Sequence, residues 1–405
     1  MIRSLFILLC IFTAHFSIAQ EKKVVFIIVD GIAADVIDSV ATPAIDVISK
    51  AGGYTKAYVG GEKGGYSETP TISAVGYNTV LTGTWVNKHN VWDNDIAAQN
   101  YHYKSIFRFL KDDDSSRTTG IFSSWLDNRT KLVNMEVDFQ FDGLELDTIN
   151  YPHDKERAFM KKIDEAVTDS AASCIRLNAP DLSWIYLEYT DDIGHMYGDD
   201  PRFVAAVQNM DRLVGKIYES VEYRRKNFGE DWLVIITTDH GRDSATGKGH
   251  GGQTERERAG WIVTNAKHLN RHFEENASIA DIMPTIARFM KIKIPVEDAR
   301  EIDGVPLIGE IHATSAMAEK KGETLKVSWK KMRDTGTAKV WISTTNNYSQ
   351  GAKDNYVLAG TARVKDQQIS IDCSKMKSDF YKVVIQTSSG FLNRWVGATT
   401  KKRKG

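Results

Sequence analysis

Several short polar clusters in this sequence combine residue types that do chemistry together. Asp30-Gly31 closes an apolar run, Asp191 is followed four residues later by His195, Asp239 adjoins His240, and His250 sits inside Gly249-His250-Gly251-Gly252. Carboxylate oxygen and imidazole nitrogen are the ligands that hard divalent cations and zinc accept, at about 2.0–2.2 Å. Three carboxylates around two dications leave a surplus positive charge, which suits a substrate anion. Ser73 supplies a hydroxyl. Val75, Val80 and Leu81 follow it at helical spacing before Thr82-Gly83, which puts Ser73 at or near a helix N-terminus. Free backbone N–H groups and the helix dipole favour an anion there. A serine so placed can attack a phosphate or sulfate ester, or it can simply cap the helix. Taken singly, each cluster also has a plain reading: a strand-end Asp makes turns, a lone His is a satisfied polar side chain, and Gly-His-Gly-Gly is loop material.

The elements that must position these residues alternate between strand and helix. Lys22 to Val29 is a continuous β-branched run, the mark of a buried parallel strand, and it delivers Asp30 to its C-terminal end. Further strands are predicted at Thr119 to Ser123, at Trp184 to Tyr189 leading into Asp191, and at Trp232 to Thr237 leading into Asp239. Helices are predicted after Thr42-Pro43, with Thr42 as N-cap and Gly52-Gly53 as stop, from Lys155 to Ala172, and from Phe203 to Tyr223. This alternation predicts an α/β fold, a mostly parallel sheet covered by helices on both faces, with ligands at the carboxyl edge. Near residue 312 the pattern changes. Residues 323–400 hold short alternating runs at Leu325 to Trp329, Ala338 to Thr344, Tyr356 to Val364, Gln368 to Ile371 and Phe380 to Gln386. They predict a small β-sandwich, fibronectin-III-like, joined to the 20–312 domain by a linker at 313–322. Every candidate ligand precedes the sandwich, so the sandwich is expected to be dispensable for chemistry.

The order Asp30-Gly31, Ser73 with Thr82-Gly83, Asp191-x-x-Gly194-His195, Asp239-His240-Gly241 and Gly249-His250-Gly251-Gly252 resembles the motif series of the alkaline phosphatase superfamily, nearest its nucleotide pyrophosphatase/phosphodiesterase branch. The likeness spans roughly residues 22 to 310, including Asp281 to Thr285 and Asp303-Gly304. It implies a metal-dependent hydrolase that cleaves phosphate esters through a phosphoserine on Ser73, using two divalent ions, zinc by preference. One ion would be held by Asp191, His195 and His250, the other by Asp30, Asp239, His240 and the Ser73 oxygen. Asn94, 21 residues after Ser73, matches the Asn that donates to a non-bridging phosphoryl oxygen in this branch. Ser67, Thr69 and Thr71 lie nearby, but only Ser73 has the right offsets. The sequence departs from the branch in two ways. The branch usually has Thr followed by Phe-Pro-Asn, whereas Ser73 is followed by Ala74-Val75-Gly76. A formylglycine sulfatase needs Pro or Ala and then Arg where this chain has Val75 and Tyr77. A sulfuric-ester hydrolase and a non-catalytic binding protein on the same scaffold are the competing readings. Monoesterase relatives add a cation at the site, and Arg129, Lys131, Arg242 and Lys248 are the candidates.

The formal net charge of −1 over 405 residues gives no reason to expect nucleic acid duplex as partner. The expected partner is a small phosphate ester, with glycan or surface contact through the sandwich. Arg3, the apolar run Leu5 to Ala14 and Ser17-Ile18-Ala19 read as a signal peptide over residues 1–19, too short to span a bilayer. It predicts an exported chain, periplasmic or extracellular, with no transmembrane segment once processed. Cys174 and Cys373 fall in different predicted domains and are expected to be free thiols.

Overall fold

The structure, a computed structural model, describes residues 20–397; the leader and the basic tail lie outside these. Seven strands form the main sheet: β1 (Lys22–Val29), β2 (Gly53–Tyr58), β3 (Thr119–Ser123), β4 (Phe139–Asp142), β5 (Leu182–Leu187), β6 (Asp231–Thr237) and β7 (Ala259–Thr264). Their order is β2-β7-β6-β1-β5-β3-β4. β1 runs parallel to both β5 and β6, and only β7 opposes its neighbours β6 and β2. The unbroken β-branched composition of β1 has a direct cause, since successive side chains point to opposite faces and both faces are buried. Val24, Phe26 and Ile28 enter one core with the Ser73–Thr82 and Ile282–Met290 helices. Val25, Ile27 and Val29 enter the other with the Ala158–Leu177 and Pro201–Phe228 helices.

Several boundaries differ from the sequence expectation for physical reasons. β5 ends at Leu187 rather than Tyr189, and the chain turns at once into a helix, Tyr189–Tyr197. Asp164 ends that strand by accepting from the Glu188 and Tyr189 N–H groups at 3.1 and 2.9 Å. Thr42 does occupy the N-cap of the Pro43–Ala51 helix but makes no capping bond. Asp211, from the Pro201–Phe228 helix, takes the free Ala44 and Ile45 N–H groups instead, at 3.1 and 2.9 Å. The helices read as 155–172 and 203–223 run over Ala158–Leu177 and Pro201–Phe228.

The C-terminal region forms β8 (Ala313–Lys321), β9 (Thr324–Lys331), β10 (Thr337–Ser343), β11 (Val357–Arg363), β12 (Gln368–Asp372), β13 (Tyr381–Thr387) and β14 (Gly390–Val396). Two antiparallel sheets, β11-β10-β13-β14 and β12-β9-β8, enclose a core containing Leu325, Val327, Val340 and Ile385. The expected linker at 313–322 is a strand. β8 pairs with β9 from Ala313↔Lys331 to Lys321↔Thr324, and its alternation is carried by Ala and Thr, whose small side chains leave little hydrophobic signal. The sandwich is docked firmly. Lys382, fully buried, donates to Glu301 and Asp354 at 2.7 Å each, and Arg300 lies over the rings of Trp341 and Tyr356. Cys174 and Cys373 are free thiols. Among the described residues no helix is long and apolar enough to cross a membrane.

Candidate metal centre and nucleophile

Each cluster lies just beyond the carboxyl end of a central strand. Asp30 follows β1, Asp239 and His240 follow β6, and Asp191 and His195 stand one turn apart on the helix after β5. Adjacent parallel strands β5, β1 and β6 therefore deliver all three carboxylates to one edge. His240 Nε2 lies 3.2 Å from Asp30 Oδ1, 3.3 Å from Asp239 Oδ2 and 3.3 Å from Ser73 Oγ. On the other side, His195 Nε2 is 3.2 Å from Asp191 Oδ2 and 3.0 Å from His250 Nε2. The rings of His240 and His250 stack at 3.7 Å, joining the two groups. The structure thus brings together Asp30, Ser73, Asp191, His195, Asp239, His240 and His250.

These donors fit dications. Asp30 Oδ1 and Asp239 Oδ2 are buried with no hydrogen-bond partner, an arrangement costing several kcal/mol per ion unless a cation compensates it. The histidines are set as ligands. His240 Nδ1 faces the Gly241 carbonyl at 2.9 Å and His250 Nδ1 faces the Thr71 carbonyl at 2.9 Å. Each contact suits a proton on Nδ1, so that in the neutral ring Nε2 is the atom available to a cation. Edges of 3.0–3.3 Å between donor atoms are close to those of a tetrahedron with bonds of about 2 Å.

Ser73 opens its helix but does not cap it. Ile72 holds the N-cap position and makes no capping bond, so the Ser73 hydroxyl is left for the cluster. The helix can approach because Gly76 has no side chain: a Cβ there would stand 2.8 Å from both Cβ and the carbonyl oxygen of Asp239. Asn94 is exposed, and its Oδ1 accepts from the Ala74 N–H at 3.0 Å, which ties it to the first turn of the Ser73 helix.

A family model described as type I phosphodiesterase / nucleotide pyrophosphatase matches residues 24–283. The chain belongs to this family. It is accordingly an ester-bond hydrolase of the alkaline phosphatase superfamily, with the mostly parallel α/β fold of that superfamily. No curated protein matches the sequence. Among solved structures, Ps i-CgsB, determined with k-i-k-neocarrahexaose, is 16% identical, with 77% of this chain and 84% of that one covered and a TM-score of 0.52. BT1596, a 2-O GAG sulfatase, is 10% identical over 93% and 85% of the chains, with a TM-score of 0.53. Human ectonucleotide pyrophosphatase/phosphodiesterase 5 is 13% identical over 68% and 96%, with a TM-score of 0.48. At such identities the first two share a fold with this chain.

In this phosphodiesterase-family chain the surrounding residues hold the candidate ligands in place. Asp30 Oδ2 accepts from Tyr186 at 2.6 Å and from Tyr77, and its carbonyl accepts from Thr190 at 2.6 Å. Burial and the Asp30 charge push both phenols far up, so they remain donors. In the sequence Tyr77 stands out only as the residue at a sulfatase Arg position. Its spacing of four from Ser73 was the available signal, since that puts both on one helix face. Arg242 differs from expectation. Fully buried, it donates to Asp191 and to the Gly31 carbonyl at 2.9 Å, and so buttresses a ligand instead of facing substrate. Arg129 is likewise occupied, by Asp142 at 2.6–3.2 Å. Lys131 pairs with Asp127 at 2.7 Å and donates to the Asp95 carbonyl. Lys248 offers its carbonyl to Arg242.

The charges of the cluster perturb one another. Burial, then the Asp30 charge, raise Asp239 well above the carboxylate range. Burial opposes charge on His240, but Asp239 and Asp30 outweigh it and lift its pKa to about 9. Burial and the neighbouring His240 push His250 down to about 4. Burial opposes ionisation of Asp191 too, but the His195 bond and the Arg242 charge hold its carboxyl below the usual range.

Proposed function

We propose that the chain is an exported phosphoesterase with two divalent ions, zinc by preference, that cleaves phosphate esters through a phosphoserine on Ser73. Asp191, His195 and His250 would hold one ion, and Asp30, Asp239, His240 and the Ser73 oxygen the other. The observation that carries this reading is the pair of buried oxygens without a hydrogen bond, Asp30 Oδ1 and Asp239 Oδ2, which meet His240 Nε2 beside the Ser73 hydroxyl. When bound, the dications lower the pKa of a coordinated hydroxyl and neutralise phosphoryl charge.

The chain's own residues do the rest. Ser73 Oγ forms a bond to phosphorus as the ester oxygen leaves, and water later replaces Ser73 to release phosphate or its monoester. The N-terminus of the Ser73 helix and the amino group of Asn94, which the Ala74 N–H holds by its Oδ1, would stabilise the equatorial oxygens. Arg242 and Tyr77 keep Asp191 and Asp30 in place. A diester is favoured over a monoester, because Arg129 and Arg242 are spent on Asp142 and Asp191. The sulfuric-ester alternative finds no support at Tyr77, whose hydroxyl is directed to Asp30.

Turnover of a bis-nitrophenyl diester against the matching monoester on zinc-loaded protein tests this. Preferential diester cleavage with label trapped on Ser73 is expected. Cleavage of the sulfate ester alone would overturn the reading.

A further inference from the structure

The loop that leads into Ser73 is gripped from two sides, and one side belongs to the sandwich. On the catalytic side, Arg258 donates to the Gly60 and Gly61 carbonyls at 3.3 and 2.8 Å, and Gln253 donates to the Thr69 carbonyl at 2.7 Å. Thr71 is the junction. Its hydroxyl donates to the Gly252 carbonyl and accepts from the Gly251 N–H, while its carbonyl orients His250. Two residues on stands Ser73. The opposite side of the loop meets β14: Arg394 donates to Glu62 at 2.8 Å, and Tyr66 stacks on Trp395 at 5.8 Å between centroids. The Arg394 guanidinium also lies 4.9 Å from the Tyr66 ring.

Behind this contact is a rigid support. Lys88, on the short helix after the Ser73 helix, is fully buried and donates to Asp303 Oδ1, the Glu301 carbonyl and Asn393 of β14 at 2.6–2.7 Å. Val86, at the start of the same helix, donates to Thr69 Oγ1 at 3.2 Å, closing the circuit back to the loop. β14 therefore touches both the segment entering the Ser73 helix and the segment leaving it.

We infer that the C-terminal sandwich is part of the active-site scaffold: Arg394 and Trp395 are positioning residues that set, through the 60–71 loop, the placement of Ser73 and the orientation of His250. This reverses the expectation that the sandwich is dispensable. The effect on turnover rests on the proposed role of Ser73, whereas the effect on loop order does not. Misplacing a reacting atom by about 1 Å can cost on the order of a hundredfold in rate, so a side-chain contact distant from the chemistry can control it.

The test compares full-length Arg394→Met, Arg394→Lys and Glu62→Gln with Lys353→Ala, which removes an exposed ion pair with Glu297 elsewhere on the same domain boundary. Two measurements are made: diester turnover, and hydrogen exchange of the Gly251 amide, which donates to Thr71 Oγ1. Arg394→Met and Glu62→Gln are expected to lower kcat by about tenfold or more with KM little changed, and to speed Gly251 exchange. Arg394→Lys should recover most of both, Lys353→Ala should change neither, and the Arg394→Met/Glu62→Gln double variant should match the singles. If Arg394→Met and Glu62→Gln shift only the melting temperature, leaving kcat and Gly251 exchange at wild-type values, the inference is overturned. Should wild-type protein show no phosphoesterase turnover, the functional reading fails while the exchange data still decide the clamp.

Discussion

Removing the cations at two pH values sets opposite titrations against each other. In metal-free protein, Asp239 and Asp30 hold His240 at a pKa of about 9, against 6.5 for an unperturbed imidazole. A pKa raised by folding contributes stability that is complete below the unfolded value and is lost as pH rises through the folded one. The window is therefore pH 6.5 to 9, and a shift of this size is worth roughly 3 kcal/mol at a buried site. Asp239 acts in the same direction, because its raised pKa means that ionising it in place costs stability. Loaded protein behaves in the opposite way. Histidines that ligate a cation must be neutral, so protons would compete with cations and binding would tighten as pH climbs. That binding adds RT ln(1 + [L]/Kd), on the order of 4 kcal/mol at a thousandfold excess over Kd. Calorimetric melts with chelator and with zinc, at pH 6.5 and pH 9, should therefore diverge. At about 2 °C per kcal/mol the gap should widen by roughly 6 °C between the two pH values. A gap that stays constant or narrows as pH rises would refute this reasoning about His240 and Asp239.

Other perturbations act on single contacts. Ser73→Ala should abolish covalent labelling and turnover while leaving metal content near wild type; near-normal turnover, or label on Thr71, would remove Ser73 from its role. Gly76→Ala should cost activity on the order of a hundredfold, since its Cβ would meet Asp239 at 2.8 Å, although helix propensity alone favours Ala by about 1 kcal/mol. Steady-state kinetics decide between the two effects. Lys382→Met leaves Glu301 and Asp354 without their buried cation, so urea unfolding should show a loss of roughly 3–5 kcal/mol; an unchanged midpoint would show the domain boundary to be soft.

The site was more legible in the sequence than its surroundings were. Asp30, Asp191 and Asp239 each follow a run of large apolar residues, and chemistry at the carboxyl edge of a parallel sheet writes itself into the chain in that form. β2 is hard to read because it is an edge strand with exposed and half-exposed polar residues, and β7 because Gly260 near its start leaves only a short apolar run. β8 resembles a linker in sequence because Ala and Thr occupy its inward positions. The role of Arg242 was misjudged for another reason: its burial behind Asp191 depends on Gly31 and Gly194, distant in sequence, where any Cβ would strike its guanidinium or Asp191. The Tyr77–Asp30 bond and the grip of Arg394 on Glu62 join residues 47 and 332 positions apart, and no local pattern announces such partners.

Elemental analysis of purified protein, paired with the same analysis of Asp30→Asn and His250→Ala, tests the central claim most directly. About two divalent ions are expected per wild-type chain and about one in each variant, with diester turnover lost in both. A wild-type chain that cleaves the diester at full rate with no bound metal and in the presence of chelator would contradict it.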